Sequence, residues 1–468
     1  MSIVWAIARH TIAEGIRMKL ALVFMALVGL VLVGLPFSIS GDGSLTGAVQ
    51  NFMTYALSAT GLLLGLLTIF MSRSMSDEFA QRQIFLVMTK PVPRWQYVLG
   101  KWAGLTMLNA ALLTAAGLTI YGMVHYLRAT HPPLDETYDA AALKNDVLVA
   151  RHALRAKLPD FRVQAQLEFD KNLEEGLYDH VPDFDAGEEL RGLTNKHEAR
   201  WRVVGPYETR VFEFENVLCE RSKQKEIHLR YKTQVSNGPP DEIFRAFWMA
   251  GDISKGTPVY RLPVRHVQGR FHTVRFPADA VAADHTLTVY FRNENPYSDE
   301  PQFPNVIEFR AAEEVEALFV VGTFEGNLVR LLILMQCKLT YLAAVALFMT
   351  TIFSFPVACL GSFTVYVFAG AQKFLKEALD WASTDIANMF TSGKEFLVGL
   401  LHVVTAKIYW VVPSFGEYDA VETLVGGRNV SLAWVLNGLV WLVLVKTGIA
   451  LGLAMLLFHR REVAEVSV

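Results

Sequence analysis

The chain has 468 residues, of which 52% are hydrophobic and 19% charged, with a formal net charge of -3 and 3 cysteines. It is more apolar than an average soluble domain, and its charge and cysteine usage exclude a strongly basic nucleic-acid binder and a disulfide-stapled scaffold. The apolar residues gather towards the two ends, leaving 130–326 with an ordinary water-soluble composition.

The first stretch, SIVWAIARHTIAEGIRMK, predicts a helix over 1–19 lying along a membrane surface. Val4, Ala8, Ile12 and Ile16 form an apolar i, i+4 row, Arg9, His10 and Arg17 cluster elsewhere on the wheel, and Glu14 interrupts the pattern. A span needs roughly 20 predominantly apolar residues. The segments 20–37, 53–71, 103–127, 331–353, 355–371 and 432–458 meet that test, which gives six expected spans. No A-x-A-like cleavage site follows the first of them, and further spans come after it, so it reads as a span and not as a secretory signal.

Lysine and arginine content sets the expected orientation. The N-terminal segment, the segment 73–102 and the tail 459–468 carry these residues, whereas SISGDGSLTGAVQ between the first two spans has none. Both termini and 73–102 are therefore expected in the cytoplasm and 128–330 outside, in a chain of the plasma (inner) membrane. EFLVGLLHVVTAKIYWVVPSF (395–415) is nearly long enough for a seventh span. That would carry Arg460 and Arg461 outside, so it reads as an interfacial or re-entrant helix within an outer-side segment 372–431.

The inserted region reads as α+β. Leu143, Val147, Ala150 and Leu154 at helical spacing predict helix over 139–178, broken at Pro159. The acidic loop YDHVPDFDAGEE follows; Asp179, His180, Asp183 and Asp185 resemble a cation ligand set but read more simply as a solvated loop. From about 200 to 325 the period changes to two. VFEFEN, EIHLRYKTQV and LTVYFRN read as strands with NGPP and NENP as turns, predicting a β-sandwich of jelly-roll type.

Motifs for chemistry are few. No P-loop, HExxH, GxSxG or paired-cysteine metal site is present. The chain is expected to be no enzyme, with no cofactor or metal of its own. Lys446 stands near the middle of the last span, where a charge costs on the order of 2.5–3.5 kcal/mol on insertion scales. It lines a polar path or a subunit interface, or else it snorkels or meets backbone carbonyls and Asn437.

SDEFAQRQIFLVMTKPVPRWQYVLGKW (76–102) is a mixed-charge segment between two apolar ones: an acidic start at Asp77 and Glu78, an apolar run, Lys90-Pro91, then Gly100-Lys101 entering the next span. With the surface helix before it and the terminal FHRREV, it resembles the ABC-2-type transporter permeases. VVPSFGEYDAVETLVGGRNVS (411–431) resembles the outer-side stretch before their last span. The resemblance covers the membrane part, a little over half of the chain, and departs from the simple members in the large insertion after the third span. It implies the permease subunit of an exporter whose ATP and Mg are bound by separate ATPase subunits. It also implies a permease homodimer or heterodimer, embedded in membrane lipid and binding no nucleic acid. Asp77, Glu78, Phe79, Arg82, Ile84, Phe85, Lys90 and Pro91 would form the socket for the ATPase. The alternative is a membrane-anchored scaffold that presents the external β-domain.

Overall fold

The structure, a computed structural model, describes residues 3–17, 19–38, 44–80, 92–130, 140, 142–178, 185–218, 225–236, 243–294, 306–309, 314–387 and 415–460. They form two compact units: residues 1–150 with 322–468, and 151–321. The inserted unit is thus narrower than the expected 128–330. Its borders move inward because Leu143 and Val147 pack into the core of the helical unit and the helix after it begins at Phe324.

The first unit is helical. It comprises α1 (Ile3–Arg17), α2 (Lys19–Ser38), α3 (Leu45–Met71), α4 (Arg73–Ala80) and α5 (Arg94–Thr130). After the insertion come α8 (Phe324–Ile352), α9 (Phe355–Ala387), α10 (Val421–Val425), α11 (Leu432–Gly438) and α12 (Thr447–Arg460); α6 and α7 belong to the other unit. A π-helical stretch, Leu439–Lys446, joins α11 to α12 into one rod. Five helices among the described residues are long and apolar enough to cross a membrane: Leu45–Glu78, Arg94–Thr130, Phe324–Ile352, Phe355–Gln372 and Leu432–Arg460. α1 and α2 pass the same test together but meet at 67°.

Polar side chains cap several of these helices. Ser44 accepts from Gly47 N–H, Thr323 from Gly326 N–H and Ser431 from Trp434 N–H, satisfying donors that the helix itself leaves free. α8 is the central rod, packed on α3, α5, α9 and α12. The core joins Phe52, Met53 and Leu64 to Leu105, Leu334, Leu347 and Phe458, all buried.

From Phe415 the chain returns through this unit by a 3₁₀ turn, Gly416–Tyr418, and the short helix α10. Phe415 N–H donates to Ala369 O, and its ring meets Tyr341 at 6.0 Å. Tyr418 hydroxyl donates to Asn437 Oδ1, Gln50 to Val425 O, and Asn327 holds both Arg428 O and Val430 N–H. Gly427, at φ +66°, lies so close to Asp146 that a Cβ would sit 1.9 Å from its carbonyl oxygen. Residues 395–414, the core of the expected re-entrant helix, lie outside the described residues.

The second unit holds two four-stranded sheets and a small three-stranded one. The strands are β1 (Val149–Arg155), β2 (Val203–Val204), β3 (Thr209–Phe214), β4 (Glu226–Lys232), β5 (Gln234–Val235) and β6 (Ile243–Ala250). There follow β7 (Tyr260–Val267), β8 (Phe271–Pro277), β9 (Leu287–Asn293), β10 (Ile307–Glu308) and β11 (Val315–Thr323). The orders are β1-β11-β4-β8, β3-β9-β6-β7 and β2-β10-β5. The two larger sheets meet through aromatic side chains, with Tyr231 of β4 at 4.8 Å from Trp248 of β6 and Trp248 at 4.7 Å from Phe291.

The helix expected over 139–178 is corrected in part. α6 (Phe161–Glu174) is helical, but Val149–Arg155 is strand β1. The i, i+4 apolar positions there also fit a half-buried strand, and pairing with β11 decides the outcome. Asp185 caps α7 (Ala186–Arg202), accepting from Gly187 and Glu188 N–H, which accounts for one acid of the supposed cation set. The rest of that set, 179–184, lies outside the described residues.

Candidate functional site

α1 packs on the first half of α5 at unusually close range. Val4 and Ile7 of α1 face Gly100, Ala8 and Thr11 face Gly104 four residues on, and Gly15 meets Leu108 and Met71. A Cβ at Gly100 would lie 2.7 Å from Ile7 Cβ, and one at Gly104 would lie 2.7 Å from Ala8 O. Two glycines one turn apart let the helix backbones touch, as small residues do in membrane helix pairs. The expected apolar row of α1 is met at Ala8, while Ile16 is exposed.

Lys101 stands between those glycines and is 2% exposed. A buried ammonium is costly unless it is paired and hydrogen-bonded. Lys101 Nζ donates to Glu78 Oε1 at 2.5 Å, to Ser74 Oγ at 2.8 Å and to Glu14 Oε2 at 3.2 Å. Ser74 hydroxyl donates to Glu14 Oε2 at 2.5 Å, and Tyr97 hydroxyl donates to Glu78 Oε2. One cation thus joins α1, α4 and α5. The Glu14 that interrupts the amphipathic pattern of α1 is its contribution to this junction.

The last helix ends beside the same place. Arg94 donates to the carbonyl oxygens of Phe458 (2.9 Å) and His459 (2.8 Å), two of the acceptors a helix C-terminus leaves open. The Phe458 ring is buried against Tyr97 at 5.9 Å.

His10, Glu14 and Glu78 bring ligand atoms within 4.8 Å of one another, a spacing that suits a metal ion. Both carboxylates already bind the Lys101 ammonium, so the set reads as an ion-pair network.

The expected socket residues divide. Glu78 turns inward, its side chain 13% exposed, whereas Asp77 stays on the surface in an ion pair with Arg73 at 3.0 Å. Phe79 lies in the last turn of α4. Arg82, Ile84, Phe85, Lys90 and Pro91 lie outside the described residues. Lys446 is half-buried and closes the π-helical stretch of the last rod. Sequence reasoning missed Ser74, Tyr97 and Arg94 as partners. The available signal was Glu14 on an otherwise apolar face, and a lysine entering an apolar helix right after a glycine.

Among the described residues of the β unit, the polar side chains do not converge on a reactive group. His228 is 3% exposed, with Arg151 Nη2 3.3 Å from its Nε2. Burial, then the neighbouring Arg151 and Arg275 charges, bring its pKa down to about 3, so the ring is neutral. His266 stacks on His272 at 4.2 Å and meets the Tyr231 hydroxyl at 2.6 Å; burial and then His272 lower its pKa. Arg230 pairs with Glu316 at 3.2 Å and covers the Phe271 ring. In the helical unit, Arg330 Nη1 donates to Asn429 Oδ1 at 2.7 Å.

No family model matches the chain, and no curated protein or solved structure matches it either.

Proposed function

We propose that the chain is the permease subunit of an ABC exporter of ABC-2 type, driven by separate ATPase subunits that dock on residues 77–91. The observation that carries this reading is the Lys101 junction. Residues 81–91 join α4 to α5, and Glu78 before them and Lys101 after them bind each other and Glu14 of α1. A partner that moves this segment therefore pulls on three helices at once, which is what coupling to an external motor requires. Asp77, Phe79, Arg82, Ile84, Phe85, Lys90 and Pro91 make the contact, and Glu78 passes the movement inward. ATP and Mg are bound by the partner.

In this reading α2 is a sixth span, both termini and 77–91 face the cytoplasm, and two permeases pair in the membrane. The eight longer strands follow the order 1-8-3-6 in one sheet and 2-7-4-5 in the other. That order supports a jelly roll for the external domain.

The test is affinity purification of the tagged chain from its native membrane in mild detergent, with the variants Asp77→Ala and Arg82→Ala combined. A co-purifying ATPase that weakens in the double variant supports the reading. Recovery of no ATPase from wild-type membranes sinks it.

A further inference from the structure

A cavity of about 340 Å³ lies in the helical unit between α3, α8, α9 and the returning segment after Phe415. Its charged lining residues are Asp419 and Lys338, the latter on the central rod about 21 Å along the axis from Phe324 at 1.5 Å per residue. The Lys338 side chain is 18% exposed. Among the described residues its charge is answered by Asp419 at 3.9 Å, beyond hydrogen-bond length. Asp419 is 57% exposed, and the same Oδ1 accepts from Val421 N–H. The ammonium carries three donors, so much of its bonding capacity remains available to the cavity.

The rest of the wall is mostly apolar, including Leu57, Met335, Leu339 and Phe415, with Ser58, Tyr366 and Asp419 as its other polar members. Leu62 and Val367, also on the wall, are each 50% exposed on the outside of α3 and α9. The mouth therefore opens between two helices of membrane-crossing length, towards the hydrocarbon. Gly61 keeps that wall thin, since a Cβ there would lie 3.2 Å from Met335 Cε. The fourth side is a single 3₁₀ turn, Gly416–Tyr418, and backbone that departs from α-helix at membrane depth is tolerated where it is buried in protein or lines a cavity. An ionisable side chain at such a place marks a ligand or ion path by default.

We infer that this cavity binds an anionic phospholipid, with the phosphate on Lys338 and an acyl chain along the apolar wall. The lateral mouth favours a lipid over a free anion, because a soluble phosphate has no apolar group to place there. The inference stands on the helical unit alone and does not rest on coupling to an ATPase.

Native mass spectrometry of the full chain in mild detergent tests it. Phosphatidylglycerol, phosphatidylcholine of the same acyl chains and inorganic phosphate are titrated separately. The expected result is one phosphatidylglycerol per chain, bound more tightly than phosphatidylcholine. Lys338→Met weakens it about tenfold, the loss of one charge-assisted contact, and Lys338→Arg retains it. Asp419→Asn, which removes the competing carboxylate without disturbing the lysine, tightens binding and serves if Lys338→Met fails to fold. Equal binding of phosphatidylcholine, unchanged binding in Lys338→Met, or no gain in Asp419→Asn overturns the proposal. Displacement of the lipid by inorganic phosphate at equal concentration also overturns it, in favour of a free-anion site.

Discussion

Lys101 Nζ lies 2.5 Å from Glu78 Oε1 and 3.2 Å from Glu14 Oε2, so a cation on α5 is shared by carboxylates from α1 and α4. Removing it leaves two partly buried acids facing each other. Lys101→Met is expected to destabilise the helical unit by about 3–5 kcal/mol, the usual cost of breaking a buried pair. Adding Glu14→Gln and Glu78→Gln to the same chain should recover part of that loss. Thermal unfolding in detergent checks both, and an unchanged midpoint for Lys101→Met would falsify the junction.

Gly104 is expected to accept no side chain. Valine there meets Ala8 O and Thr11 Cβ, both 2.7 Å from the new Cβ. The overpacking costs about 1–3 kcal/mol, and α1 lifts from α5. Hydrogen exchange over 4–15 should then rise in Gly104→Val. Gly122→Ala, on the same helix with nothing within 4 Å of its Cβ, should leave that exchange as in the wild type.

Arg94→Ala should fray the last helix at its C-terminal turn, since the carbonyls of Phe458 and His459 lose their donor. Faster exchange confined to about 456–460 is the expected signature. Arg94→Lys keeps the charge but puts it on a different, more flexible stem, and should recover only part of the protection.

The β unit should weaken in acid through His228. Its folded pKa, about 3, lies below the unfolded value of about 6.5. Between these values the unfolded chain binds a proton that the folded chain does not, so stability falls as pH falls. The contribution is full above about pH 6.5, and the slope approaches 1.4 kcal/mol per pH unit below it. The difference in denaturant midpoint between His228→Phe and wild type, followed by tryptophan fluorescence from pH 7 to pH 4, should change with pH. A constant difference would rule the histidine out.

Hydropathy located five long helices but cut them short. The expected span 103–127 is the middle of Arg94–Thr130, because the nine residues before it stay helical through the junction and not through lipid solubility. The strand LTVYFRN coincides with Leu287–Asn293, since alternation with aromatic and β-branched residues is a local signal. Val149–Arg155 was misread because its partner β11 lies more than 150 residues away in sequence. Glu78 was legible as an acid at the right place, but not as one that turns inward. That direction is set by Lys101 and Tyr97 on another helix. Lys338 escaped notice because a window average tolerates one charge among many apolar residues.

The glycine contact between α1 and α5 also sets an order of events during synthesis. Ala8 leaves the ribosome long before Gly104. At about 5–20 residues per second, α1 waits roughly 5–20 s for the surface it will cover. Throughout that interval Glu14 has no Lys101 to bind, and the buried face of α1 is open to any other apolar surface nearby. The amino-terminal helix is therefore made first but cannot reach its place on α5 until Gly104 has been synthesised.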